Sequence, residues 1–386
     1  MKSSNTLLGP VPARRSPIRA ALVAAAVLSF SLLSGASAED GQFNARGNVL
    51  IADQFNNRVI EVDRESHEIV WRFGTGSDKP GPDSIVGVND AERVGRFTLI
   101  SGTGIPPASP PLPGCSDAVN GCPDNRVILV DAHGHIVWQY GMDGGGSGSD
   151  PNQLNVPVHA VFLSSFPGHA GFHVMITDQS NERVIVVNRA HEIVWQYGTT
   201  GVMGSGPNQL NNPNSAELLE NGHVLIADEN NSRAIEVAAD TLQVVATFSA
   251  GGTASGVAFA SRLSDGDTLI TDSNNSRIVE VDSADNVVSQ YFTNTLRGSN
   301  PNGPFPTRAV RLRNGDTLIS DQFNERVIQI TPAPDQRIVF QQGRLNVPGA
   351  GFDRLNGPYD AKVIGDYTGM TPPFDFEEWD LPIPLR

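Results

Sequence analysis

Asp90, Asp360, His159 and Arg308 are the residues of this chain whose types could do chemistry together. Each opens one copy of an apolar stretch that recurs along the sequence, and at the same offset the other copies carry Ser215 and Ser255. The residues immediately before them are Asp360's Tyr359, Asp90's Asn89, then Val158, Asn214, Ala254 and Thr307. Two carboxylates held close raise each other's proton affinity, while a neighbouring guanidinium lowers it. Asp90, Asp360, His159 and Asn89 offer oxygen and imidazole ligands for a divalent cation, calcium or zinc. The same set could instead do acid–base work, with His159 or Tyr359 as base and Arg308 stabilising developing negative charge. The non-catalytic alternative is an Arg308–Asp360 ion pair beside solvated polar groups.

The elements that position these residues are set by a repeat. An apolar run, an Asp, an Asn, an Arg and a second apolar run recur at Asp53-Asn56-Arg58, Asp178-Asn181-Arg183, Asp228-Asn231-Arg233, Asp272-Asn275-Arg277 and Asp321-Asn324-Arg326. A degenerate sixth copy has Asn125-Arg126 after an insertion. Successive arginines lie 68, 57, 50, 44 and 49 residues apart, close to the 40–50 residues of a four-stranded propeller blade.

Residues 213–249 show how one unit becomes a blade. Ser215–Leu219 starts a strand, Asn221-Gly222 marks a tight hairpin, and His223–Ala227 returns to Asp228. Asp and Asn side chains then bond nearby backbone amides and turn the chain, so Ala234–Val237 and Val244–Phe248 follow as third and fourth strands. Fourth strands carry Trp71, Trp138 and Trp195, with Phe340 in the last unit, a stripe expected to pack between blades. The last unit has only a first strand at 360–364, whereas residues 47–74 have the other three. The expected fold is therefore all-β: a six-bladed β-propeller of four-stranded antiparallel blades, closed by pairing the N- and C-terminal strands. Going round such a ring, Arg308, Asp360, Asp90 and His159 come from four consecutive blades and converge on one side of the channel mouth.

The ends and composition bound where it works. Residues 1–38 read as a signal peptide: Lys2, Arg14, Arg15 and Arg19, an apolar stretch from Ala20 to Leu33, and Ala36-Ser37-Ala38 as cleavage site. That stretch is shorter than the ~20 residues of a membrane helix, so a secreted or periplasmic protein without membrane insertion is expected. Removing the leader takes the formal charge from −15 to −19, which repels nucleic acid and favours basic partners. Cys115 and Cys122, both within the insertion loop 102–124, are expected to form a disulfide. The propeller is expected over 39–364 and an acidic, Pro-rich tail over 365–386. His169 and His173 flank Gly171 in a loop at metal-compatible spacing without a partner. No Gly-x-Ser-x-Gly, phosphate loop or His-Glu-x-x-His motif occurs.

Segments such as GPNQLNNPNSAELLENGHVLIADENNSRAIEV and GNVLIADQFNNRVIEVD resemble NHL-repeat propellers over roughly residues 45–364. EIVWRFG and EIVWQYG are also similar to strands of arylsulfotransferase-like and pyrroloquinoline-quinone-type propellers. The NHL resemblance implies a protein- or ligand-binding scaffold, or one of the related six-bladed lyases and lactone hydrolases. An amidating lyase of this type uses Tyr, Arg and His-bound zinc at its axis, to which Tyr359, Arg308 and His159 would correspond. Two functions follow as expectations: a lyase or hydrolase acting on a small or extracellular substrate with a divalent metal, or a non-catalytic extracellular scaffold for a ligand or protein partner.

Overall fold

The computed structural model describes residues 42–366; the leader at 1–38 and the tail beyond Asp366 lie outside the described residues. It is a six-bladed β-propeller of six four-stranded antiparallel sheets. Blade 1 is assembled from both ends of the ring: Pro358–Val363 is its first strand, followed by Val49–Asp53, Arg58–Val62 and Ile69–Phe73. Val49 pairs with Val363 and Ala52 with Asp360, so the N- and C-terminal strands close the circle and leave no open edge there. The first strands of blades 2 to 6 are Val88–Val94, Pro157–Phe166, Pro213–Leu218, Val257–Arg262 and Arg308–Arg311. Each of these first strands touches the next around the axis.

Alternation of side chains along each strand sends one set to each neighbouring blade. Hence the core is six separate clusters, one per blade interface, rather than one centre. Between blades 1 and 2, Leu50, Val59 and Trp71 meet Ala91, Ile100 and Ile128. Each such side chain, fully buried, contributes about 1.5–3 kcal/mol.

The repeated Asp, Asn, Arg signature is a tie between turns. In blade 4, Asn231 Nδ2 and Arg233 Nε both donate to Asp228 Oδ2, at 2.8 Å each, while Asn211 N donates to Oδ1 at 2.8 Å. The same Arg–Asp pairing recurs at Arg58, Arg183, Arg277 and Arg326, and in the degenerate copy Arg126 takes Asp124. In five blades the carboxylate also accepts a backbone N–H from the loop entering the blade, given by Asn356, Val86, Asn155, Asn211 and Ser255, whereas Oδ1 of Asp321 is buried without a partner.

Cys115 and Cys122 are disulfide-bonded, with Cα atoms 5.6 Å apart. They fasten the insertion loop over a small cluster of Phe55, Val86 and Ile105. His169 and His173 lie on a strand, His169–Asp178, not in a loop: blade 3 extends its first hairpin, and Gly171 sits inside it. Their rings are 5.9 Å apart, and His173 Nδ1 lies 2.8 Å from Gly171 O. Among the described residues no helix is long and apolar enough to cross a membrane.

Candidate functional site

Near the start of a first strand the ladder slips by one residue, between Pro157 and His159, Pro213 and Ser215, Val88 and Asp90, and Val257 and Phe259. Blade 1 slips likewise, with Asp53 opposite Pro358 and Ala52 opposite Asp360. A bulge of this kind re-aims the extra residue. Asn89, Val158, Asn214, Ala258 and Tyr359 are those residues, and Asp90, His159, Ser215, Phe259 and Asp360 follow at one common level. Arg308 completes the level in blade 6, opposite Ser320.

This alignment agrees with the sequence expectation in five blades and corrects it in blade 5. There the level residue is Phe259, not Ser255, and Ala258 precedes it in place of Ala254. Ser255 lies four residues upstream, where its N–H meets Asp272 Oδ1 at 2.7 Å, as Asn211 meets Asp228. The signal was present: Phe259 precedes Asp272 by thirteen residues, as Ser215 precedes Asp228 and Arg308 precedes Asp321.

Most of these side chains reach the next blade. Asp360 Oδ2 accepts from Ala91 N at 3.3 Å, Asp90 Oδ2 from Ala160 N at 3.0 Å, and His159 Nδ1 from Ala216 N at 3.2 Å. Ser215 Oγ continues the series to Ala260 N at 3.4 Å. An accepting Nδ1 leaves the His159 proton on Nε2, 3.9 Å from Asp90 Oδ1. Arg308 donates through Nε to Asp360 Oδ1 at 3.1 Å, holds Nη2 3.5 Å from Asp90 Oδ1, and lies with Cζ 4.4 Å from the Phe259 ring centroid. The four expected residues therefore converge, but with two that sequence reasoning missed. Lys362 Nζ donates to Asp90 Oδ1 at 2.7 Å, to Ala91 O at 2.9 Å and to Asp360 Oδ2. Glu92 Oε2 accepts from Phe162 N at 2.9 Å one step further along the axis. Both stand two residues beyond a level carboxylate, so strand alternation puts them on the same face.

The charges balance internally. Burial pushes Asp90 up, but Lys362 and Arg308 outweigh it and hold the carboxyl below its usual range. Burial works to lower Lys362, yet Asp360 and Asp90 leave it raised, so the ammonium persists. His159 is driven well below its ordinary value by burial and then by the positive charges of Arg308 and Lys362, which makes it neutral. Glu92 is pushed up to about 8, chiefly by burial, and is uncharged at pH 7.

The mouth above this level is occupied as well. Tyr359, from blade 1, crosses the axis to blade 4, where Asn214 Nδ2 lies 2.9 Å from its hydroxyl. Asn214 also reaches Glu229 Oε2 at 2.8 Å. Asn89 Oδ1 accepts from Gln54 Nε2 at 2.8 Å, and Gln54 Oε1 accepts from Gln322 Nε2 at 2.8 Å. Arg308 retains 1% of its exposure, and Asp90, Asp360, His159, Lys362, Glu92, Tyr359, Asn89 and Asn214 are buried, while Glu229 is half-buried.

The set does not fit a divalent cation in this arrangement. Lys362 Nζ stands between Asp90 and Asp360, the place a shared cation would take. The lone pair of His159 Nδ1 is engaged by Ala216, and Asn89 is turned to Gln54. Tyr359, raised by burial and by Glu229, keeps its proton and can donate a hydrogen bond but not act as base. One feature remains unsatisfied: Nη1 and Nη2 of Arg308 are buried without a hydrogen-bond acceptor.

No family model matches the sequence, and no curated protein does. Among solved structures, the chain is similar to a protein of unknown function from Bacteroides caccae, at 13% identity and TM-score 0.49, over 77% of this chain and 93% of that one. It is similar to virginiamycin B lyase from Staphylococcus aureus at 12% identity and TM-score 0.48, over 81% and 84% of the two chains. The WD40 β-propeller domain of Doa1 follows at 12% identity and TM-score 0.44, over 77% and 83%. At such overlaps and identities no residue role is carried from them to this chain.

Proposed function

We propose that this chain is an exported, NHL-type propeller that serves as a non-catalytic extracellular binding scaffold, with the axial residues acting as the clasp of its ring. The observation that carries this reading is the ammonium of Lys362 lying between Asp90 and Asp360, within a set buried on all sides. Charges already matched by their neighbours have little to offer a substrate, and each removed alone leaves a partner stranded. The leader and the disulfide between Cys115 and Cys122 support the extracellular setting. A cleft of about 510 Å³ lined by Asp78, Lys79, Ser116, Asp117 and Pro123 lies beside the disulfide-pinned loop. The acidic surface suits a basic ligand or protein partner there.

Thermal unfolding tests the clasp. Lys362→Met is expected to cost about 3–5 kcal/mol, since it leaves buried carboxylates uncompensated. Asp90→Asn added to it is expected to recover part of that loss. Calcium or zinc at millimolar concentration is expected to leave the wild-type Tm unchanged. A metal-dependent rise that disappears in Asp90→Asn would overturn the reading.

The unpaired N–H groups of Arg308 favour a second reading, an enzyme whose substrate brings an anionic or carbonyl oxygen to the axis. Neutral His159 and the hydroxyl of Tyr359 would flank that oxygen once the Tyr359–Asn214 contact opened. Stabilisation of the wild type by acetate or phosphate, lost in Arg308→Gln, would support this reading in place of the first.

A further inference from the structure

Trp71 of blade 1 fills a seat that blade 2 builds for it. Its indole N–H donates to Ala132 O at 3.0 Å, and the guanidinium of Arg93 lies with Cζ 4.8 Å from the ring centroid. Two residues hold Arg93 there. Nη1 donates to Thr98 Oγ1 at 2.9 Å, and Nη2 donates to Glu61 Oε2 at 2.7 Å. Glu61 belongs to blade 1 and is the strand partner of Trp71.

The same frame recurs between blades 5 and 6. Arg311 Nε donates to Thr317 Oγ1 at 3.1 Å, and Nη2 donates to Glu280 Oε2 at 2.6 Å. Strand register matches the two frames residue for residue: Arg93 pairs with Thr98 as Arg311 does with Thr317, and Glu61 pairs with Leu50 as Glu280 does with Leu269. The fourth-strand partner of Glu280 is Ser289, which therefore stands where Trp71 stands. A cleft of about 280 Å³ opens at that place, with Leu269, Ile278 and Ile330 as its apolar wall. The lost cover shows in the ion pair. Side chains of Arg93 and Glu61 are 2% and 0% exposed, whereas those of Arg311 and Glu280 are 26% and 12% exposed. The cleft is at the small end for a ligand pocket and suits one flat ring. Pro332 holds the position of Ala132, two residues past Ile330 as Ala132 is two past Val130. Its carbonyl already accepts the N–H of Gln336 at 3.2 Å, so the slot selects an aromatic ring for its shape and not for a donor.

The edge of this slot also differs in charge from its counterparts. In blade 1, Glu61 accepts a second hydrogen bond from Asn48 Nδ2 at 2.6 Å, and in blade 4 the Glu236 carboxylate meets His223 Nδ1 at 2.7 Å. Blade 6 reverses the polarity, with Gln329 donating to Asp316. Asn48, His223 and Asp316 share one register position, two residues before the leucine that pairs with the Glu or Gln. In blade 5 that position is Asp267. Glu280 thus faces a second carboxylate where the other blades supply a donor, and Asp265 joins them, with the three groups within 4.8 Å of one another. Burial and the charges of Asp265, Glu280 and Asp282 hold Asp267 above its usual range. Arg311 offsets one negative charge of the three. The excess lies beside an apolar slot backed by a guanidinium, so a cationic group attached to a ring meets both.

We infer that the cleft between blades 5 and 6 binds a small aromatic ammonium compound, its ring in the place that Trp71 takes in blade 1 and its ammonium toward Asp265, Asp267 and Glu280. The guanidinium of Arg311 then backs the ring as that of Arg93 backs Trp71. This site is separate from the axis and from the cleft beside the disulfide.

Tryptamine, indole and indole-3-acetate share one ring and differ in charge, and calorimetric titration of each into the full chain tests the site. Tryptamine is expected to bind at one site per chain, and indole-3-acetate about tenfold more weakly, because repulsion replaces attraction at the acidic edge. Ser289→Trp fills the slot with the protein's own ring and is expected to abolish tryptamine binding. Asp267→Asn, on the hairpin outside the slot, is expected to weaken tryptamine about threefold and leave indole unchanged. Hydrogen exchange locates the ligand without relying on either variant: tryptamine is expected to slow exchange at 287–291 and 331–336. No uptake of tryptamine at millimolar concentration would overturn the inference. So would equal affinity for the three probes, an unchanged affinity in Ser289→Trp, or protection confined to other blades.

Discussion

Glu92 shows how a single buried group sets a pH dependence for the whole ring. Its carboxyl is pushed up to about 8 by burial beside the axis, against an ordinary value of 4.5. Between these values the folded chain holds a proton that the unfolded chain releases, so stability falls as pH rises across that window. The contribution is fully present below about pH 4.5 and is lost on passing about pH 8. Asp321, raised to about 6, and Glu325, raised to about 7, slope the same way, so a comparison of variants is needed to isolate Glu92. Glu92→Gln keeps an acceptor for Phe162 N, and its loss of stability from pH 5 to pH 8 is expected to be smaller than that of the wild type. Equal slopes in urea titrations at the two pH values would refute this. The axis was half legible in the sequence. Asp90, His159, Arg308 and Asp360 announced themselves because polar residues broke a repeat at one offset. Lys362 and Glu92 did not, because they sit one alternation beyond the offset at which those polar residues broke the repeat. Their role becomes visible only when four first strands are brought side by side.

At the scale of the strand and turn, four of the six units rely on a close approach that their sequence encodes in one glycine. Gly198 follows the fourth strand of blade 3 at φ +95°, and a Cβ there would stand 2.3 Å from Glu182 O. Gly74, Gly141 and Gly343 make the same approach in three other blades. Gly198→Ala is accordingly expected to destabilise by on the order of 1–3 kcal/mol, read as a lowered urea midpoint with an unchanged slope. A neutral result would mean that the turn relaxes without help from the glycine. Strand order, the Asp–Asn–Arg turns and the tryptophan stripe were all legible at this scale, since each depends on contacts local to one unit or repeated in every unit. The misplacement of Ser255 has a physical reason. Blade 5 lacks the Pro that opens the ladder in blades 1, 3 and 4, and the small residues from Gly251 to Gly256 imitate the start of a strand one turn early.

For the molecule as a whole, stability resides in closure rather than in any one blade, because every cluster of the core straddles two blades. A chain ending at Gly357 lacks Pro358–Val363 and is expected to show no cooperative unfolding transition, whereas one ending at Asp366 is expected to unfold cooperatively. Comparable sigmoidal melts for the two chains would rule this out. Closure was legible from the missing first strand near the N-terminus, which is a property of the chain's arithmetic. The burial of the axis was not, since it depends on how far Tyr359 reaches across to Asn214.

That reach also orders events in time. Tyr359, Asp360 and Lys362 are carried by the strand of the ring that leaves the ribosome last, and they meet partners in blades 2, 4 and 6. Until they arrive, Asp90 and Arg308 face the centre with opposite charges and no counterpart of their own from blade 1. A chain cut short by a premature stop therefore keeps five blades of sound local sequence but cannot seat its hub. The keystone strand thus makes completeness of synthesis a condition of folding: the ring proofreads its own length.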